Sequence, residues 1–153
     1  ENVVVIDSDT YPIRPAAFAT AAGQQILYNG DANQAPFHCF TERALGALPA
    51  NPRNYIAHCM LFRRSVLAAL HSRIETANGR PWAERLLALS AEPTNGMMSE
   101  FDLYGQFMRC FKPDESVERY YANIKVTPDE FDGTAPLPRW KRRFRFVSNH
   151  QRA

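Results

Sequence analysis

An α/β fold is the class this sequence predicts, and three observations predict it. Val3-Val4-Val5-Ile6 is a continuous β-branched run that ends abruptly in Asp7-Ser8-Asp9-Thr10, the pattern of a strand buried on both faces. Two later segments repeat their apolar residues at three- and four-residue steps, the period of a helix, and a third between them carries an apolar face. Further short strand-like pieces, Gln24 to Tyr28 and Phe144 to Val147, stand on either side of those segments.

The 153 residues fit one ordinary domain, 1–153. A hydrophobic fraction of 45%, with ten Phe, six Tyr and two Trp, is enough to build a packed core. Eighteen Lys and Arg against sixteen Asp and Glu leave a formal charge of +2, too little overall to call for nucleic acid or anionic lipid as a partner. Cys39, Cys59 and Cys110 stand far apart with no CxxC pair; this predicts neither a structural zinc site nor a disulfide framework and fits a reducing, cytoplasmic compartment. No run approaches eighteen apolar residues, and no basic start precedes an apolar signal core. Entry into a strand directly after Glu1, with nothing before it to cover that strand, predicts a piece of something longer.

The elements follow in order. Asp7 and Asp9 fall at the carboxyl end of the first strand, the edge where ligands bind in open α/β sheets. Gln24 to Tyr28 reads as a second short strand closed by the turn signal Asn29-Gly30-Asp31. Ala32 to Arg53 carries Pro36, Gly46, Pro49 and Pro52 and reads as irregular, with a short helix over Thr41 to Leu48. Val66, Leu67, Leu70, Ile74 and Ala77 predict a helix from about Arg63 to Ala77, ended by Asn78-Gly79. Pro81 suits the first position of a second helix, Trp82 to Leu89, and the two should form a hairpin. Ser99, with Asp102 three positions on, resembles a capping box opening a third helix whose buried stripe is Phe101, Tyr104, Phe107, Met108 and Phe111, and Lys112-Pro113 ends it. Val117 to Val126 is strand-like, Thr127 to Pro138 is a polar connection, and Phe144 to Val147 is a last strand.

Five groups of side chains are able to carry chemistry. Asp7 and Asp9 bracket a small residue, so both carboxylates can turn to one site; a hard cation, Mg²⁺ or Mn²⁺, takes such oxygen ligands and neutralises a departing nucleotide diphosphate. The ordinary reading of the same residues is an acidic turn. Glu100 and Asp102 open a helix, where one carboxylate can act as general base toward an acceptor hydroxyl; the ordinary reading is a capping box with acids meeting the helix dipole. His150, in Ser148-Asn149-His150-Gln151, can complete the Asp site as a third ligand, or is a solvated residue near a terminus. His58 lies within the apolar stretch Tyr55 to Met60, where a buried, satisfied histidine is the default and donation to a sugar or phosphate oxygen is the functional alternative. Lys141-Arg142-Arg143 with Arg145 and Trp140 is the one basic cluster; it reads as a solvated edge-strand face, with RNA, phosphate or an anionic membrane surface as the alternatives.

Together, Val3-Val4-Val5-Ile6-Asp7-Ser8-Asp9, Tyr55-Ile56-Ala57-His58-Cys59-Met60-Leu61-Phe62, Ser99-Glu100-Phe101-Asp102-Leu103-Tyr104-Gly105 and Asn149-His150 resemble a bacterial family of GT-A-type glycosyltransferases with a DxD motif. The resemblance implies a sheet flanked by helices and metal-dependent transfer of a sugar from a nucleoside-diphosphate sugar to a glycan or other hydroxyl acceptor. It implies Mn²⁺ or Mg²⁺ on Asp7, Asp9 and His150, Glu100 or Asp102 as base if the reaction inverts the anomeric centre, and His58 and Tyr104 lining the donor or acceptor pocket. In that family a Rossmann-like nucleotide-binding region precedes the DxD, and almost none of it is present here. The expectation is therefore a partial GT-A-like fold, the metal-binding and acceptor-side part of an enzyme whose first strands come from a longer chain or a partner, or else a degenerate protein that binds without turning over; the chain by itself is expected to be weakly active at best. No nucleic acid is expected as partner, and peripheral contact at the inner membrane face is left open. Two other classes stay in play, a non-catalytic binding module with a basic C-terminal patch and a metal-dependent phosphohydrolase.

Overall fold

The computed structural model describes residues 1–30, 35–126 and 138–148. In chain order these form β1 (Asn2–Ile6), β2 (Thr10–Pro12), β3 (Gln25–Asn29), α1 (Ala35–Leu45), β4 (Cys59–Arg63), α2 (Arg64–Asn78), α3 (Trp82–Ser90), α4 (Glu100–Phe111), β5 (Ser116–Tyr120), β6 (Asn123–Lys125), α5 (Pro138–Arg143) and β7 (Phe146–Ser148). The fold is mixed α/β, with three small sheets: β1 beside β4 antiparallel, β3 beside β5 parallel, and β7 between an antiparallel β2 and a parallel β6.

β3 is the strand buried on both faces. Leu27 packs into the main core with Phe40, Tyr55, Leu70 and Phe107, while Ile26 and Tyr28 turn the other way, onto Ala57, Cys59, Tyr121 and Phe146. That alternation is the two-residue period of a strand with partners above and below. β1, from which such burial was expected, has it on neither face: Val3 is 53% exposed, Val4 41%, Val5 37% and Ile6 38%. Its one ladder is to β4, and backbone pairing along one edge covers no side chains. Val3, Phe62 and Leu67 line a groove there.

The helical hairpin forms as its periodicity predicts. α2 buries Val66, Leu70 and Ile74, and Gly79 ends it in the left-handed conformation at φ 65°, its N–H donating to the Glu75 carbonyl. α3 packs against α2 with Pro81 one place before the helix, at the N-cap. α1 is longer and earlier than the short helix expected over Thr41 to Leu48. Pro36 does not oppose it, because in the first turn its missing N–H costs nothing. α4 starts and stops as expected, with the Ser99 hydroxyl accepting from the Asp102 backbone N–H. Phe111, expected in its buried stripe, is 39% exposed at the helix end, beneath the Arg73 guanidinium.

Val117 to Val126 divides into β5 and β6, which join different sheets. Residues 127–137, most of the polar connection, lie outside the described residues. The basic run over 141–143 is helical, in α5, rather than on an edge strand, and Trp140 is buried against Val126 and Val147. No helix among the described residues is long and apolar enough to cross a membrane.

Candidate metal centre

The β1–β4 ladder assembles the site. Its register runs from Asn2 opposite Arg63 to Ile6 opposite Cys59, and one further bond, Asp7 N–H to the His58 carbonyl at 2.9 Å, carries it to the next pair. Beyond it the chain turns, with Thr10 N–H donating to the Asp7 carbonyl at 3.0 Å. His58 has φ 55°, a left-handed conformation that costs a residue with a side chain about 1–3 kcal/mol. The bend brings its imidazole to Asp7: Nδ1 lies 2.8 Å from Oδ2. A carboxylate only accepts, so with no cation bound Nδ1 carries the hydrogen; to share an ion with Asp7, Nδ1 would have to present its lone pair instead, with the ring hydrogen on Nε2.

Asp7, Asp9 and His58 are each half-buried, and one ligand atom from each lies within 4.8 Å of the others. A cation with bonds of about 2.1 Å holds opposed ligands about 4.2 Å apart, a span comparable to that of this cluster. Two carboxylates and an imidazole suit Mn²⁺, which accepts oxygen and nitrogen together. Cys59 adds no ligand. Burial first, and then the Asp7 charge, push its thiol up to about 12, so it keeps its proton.

Behind the acids lies a line of neutral polar groups. Thr10 Oγ1 donates to Asp9 Oδ1 at 3.4 Å and shares a hydrogen bond with Ser148 Oγ at 2.9 Å, and Asn123 Nδ2 donates to the same Ser148 oxygen at 2.9 Å. Thr10 and Ser148 face each other across β2 and β7. The Tyr121 hydroxyl is buried beside this pair without meeting hydrogen-bond geometry to either member. Its pKa is raised, chiefly by burial, so it stays protonated. The Tyr121 ring lies 6.1 Å from that of His58.

The remaining expected site residues fall elsewhere. In Ser99 to Gly105, Glu100 is exposed, while Asp102 is fully buried between α1 and α4. Asp102 accepts from Thr41 Oγ1 at 2.9 Å and Gln106 Nε2 at 3.1 Å, with His38 at 3.6 Å. Burial raises its pKa, and the donors Gln106 and Thr41 and the His38 charge pull the other way. Tyr104 is buried too, donating to Gln25 Oε1 at 3.0 Å and accepting from Arg63 N–H at 3.1 Å, which ties α4 to β3 and β4. Neither Glu100 nor Asp102 belongs to the Asp7–Asp9–His58 cluster. His150 lies outside the described residues, two positions after Ser148. Among the described residues it is His58, expected only to line the donor or acceptor pocket, that stands beside Asp7 and Asp9. Of the basic cluster, Arg142 and Arg143 are exposed, but Trp140 is 4% exposed and offers no face for a base to stack on.

Asp102→Ala is expected to cost about 2–3 kcal/mol, because two buried donors lose an acceptor. Urea denaturation measures it. The sign with pH follows from the raised pKa: folding favours the protonated carboxyl, so this group's contribution is complete below its unfolded value of about 4 and declines as pH rises through the higher folded value. The gap between the native chain and Asp102→Ala should therefore narrow as pH rises from 4.

No protein-family model matches this sequence, and no curated protein matches it. Thr10, Tyr121, Asn123 and Ser148 escaped the reading of the sequence. Thr10 and Ser148 are separated by 138 positions, and a hydroxyl residue at that separation carries no local signal.

Proposed function

We propose that this chain is the cation-binding part of a glycosyltransferase that moves a sugar from a nucleoside-diphosphate donor to a hydroxyl acceptor. The observation that carries the reading is the meeting of Asp7, Asp9 and His58 within 4.8 Å. These three side chains would hold Mn²⁺ or Mg²⁺, and a cation there supplies charge neutralisation as the diphosphate leaves. Before a cation binds, Asp7 keeps the His58 ring oriented through Nδ1; the cation would displace that hydrogen and take Nδ1 and the carboxylates of Asp7 and Asp9 as ligands. Glu100, the exposed acid at the start of α4, stands outside the cluster and serves as base only toward an acceptor that reaches from the cation to α4. Tyr104 takes a packing duty in this reading, since both of its polar contacts are internal.

The test is a Mn²⁺ titration followed by incubation with a panel of nucleotide sugars. Mn²⁺ binding and cation-dependent release of free sugar and nucleoside diphosphate are expected. Absence of Mn²⁺ binding overturns the proposal, and release of inorganic phosphate in place of sugar reassigns the site to phosphate-ester hydrolysis.

A further inference from the structure

Resting on the cation site proposed above, we infer that Ser148 and Thr10 are positioning residues that hold the Asp9 carboxylate in its ligand orientation through a directed chain of hydrogen bonds. Each end of the chain has one possible sense. The Asn123 amide nitrogen only donates, so Ser148 Oγ accepts from it at 2.9 Å. An ionised Asp9 carboxylate only accepts, so the Thr10 hydroxyl hydrogen goes to Asp9 Oδ1. The hydrogen of the Thr10–Ser148 bond, 2.9 Å long, then comes from Ser148. The sense is Asn123 to Ser148 to Thr10 to Asp9, drawn from β6, β7 and β2 in one sheet.

Burial gives the chain its strength. Ser148 is fully buried and Thr10 is 5% exposed, so water competes little and each bond polarises the next. The last link, Thr10 to Asp9, is long at 3.4 Å and part-buried, so it orients the carboxylate more than it stabilises it; such outer partners set the orientation of ligands around metals. A second observation points to the same place. The Tyr121 hydroxyl, in a residue only 7% exposed, also sits beside Thr10 and Ser148, so a third neutral polar group is buried directly behind the acids. A site built only as an acidic turn has no use for three neutral polar groups buried behind it.

The experiment is Mn²⁺ affinity, by titration, for the native chain and for Thr10→Val, Thr10→Ser, Ser148→Ala and the double variant Thr10→Val/Ser148→Ala. Thr10→Val keeps the shape and removes the hydroxyl, and is expected to weaken Mn²⁺ about tenfold. Thr10→Ser is expected to restore the affinity to within about twofold, which a purely structural role of the methyl group would not do. Ser148→Ala is expected to weaken binding several-fold alone and to add nothing once Thr10 is valine, because Ser148 acts only through Thr10. The double variant also guards against misfolding, since it removes both hydroxyls of one bond together. Native-like affinity in Thr10→Val or Ser148→Ala, or additive losses in the double variant, overturns the inference while leaving the cation site standing. Failure of the native chain to bind Mn²⁺ overturns both.

Discussion

Asp7→Asn and Asp9→Asn are each expected to weaken Mn²⁺ binding by more than about a hundredfold while leaving the fold intact. Removing an outer partner of a metal ligand costs about 10- to 100-fold, and removal of a ligand's charge should exceed that, because the hard cation exchanges an anionic oxygen for a neutral amide. The fold should tolerate the change. Asp7 and His58 are 37% and 19% exposed in their side chains, and a solvent-screened pair of that kind contributes at most about 1 kcal/mol. An asparagine oxygen can still accept from His58 Nδ1. Titration calorimetry gives the affinity and thermal melting the stability. Retention of Mn²⁺ binding in both variants would place the cation elsewhere on the chain.

Gly105→Ala is expected to lose about 3 kcal/mol, although alanine is the better helix former. Propensity alone favours alanine in the middle of α4 by about 1 kcal/mol. Packing opposes it, since a Cβ at Gly105 would lie 2.3 Å from Tyr55 Cγ and 2.7 Å from Tyr55 Cβ. The ring is fully buried and its hydroxyl is held by Glu118, so it cannot swing aside. Overpacking of this kind costs about 1–3 kcal/mol and sometimes more, and the near-backbone atoms of Tyr55 place this case at the upper end. Chemical denaturation reads the loss directly. A neutral or stabilising result would mean that α4 and Tyr55 are further apart than described.

These two places divide the conspicuous motifs of the chain. The Ser99 to Gly105 block is mostly architecture: Ser99 caps, Asp102 and Tyr104 are buried hydrogen-bonding hubs, and Gly105 admits Tyr55, with Glu100 alone facing solvent. Its acids looked alike in the sequence, both in the first helical turn. Their separation into exposed and buried depends on which face of α4 meets α1, and nothing near them records that. Asp7-Ser8-Asp9 keeps the chemical role expected of it in the proposal, with His58 as the third candidate ligand among the described residues.

Helix periodicity, the Gly79 stop, the Ser99 cap and the pairing of α2 with α3 were determined by the sequence itself, because each rests on contacts within a few residues along the chain. Burial was decided only by tertiary structure. β1 and β3 both present short apolar runs, but β3 has side-chain partners on both faces whereas β1 has one ladder and exposed valines. The site divides the same way. The two acids stand two positions apart and are visible as a pair, while His58 reaches them across 51 positions and Ser148 reaches Thr10 across 138. Local sequence sets which conformations a segment prefers; which distant side chain arrives opposite it is set by strand register, and register belongs to the assembled fold.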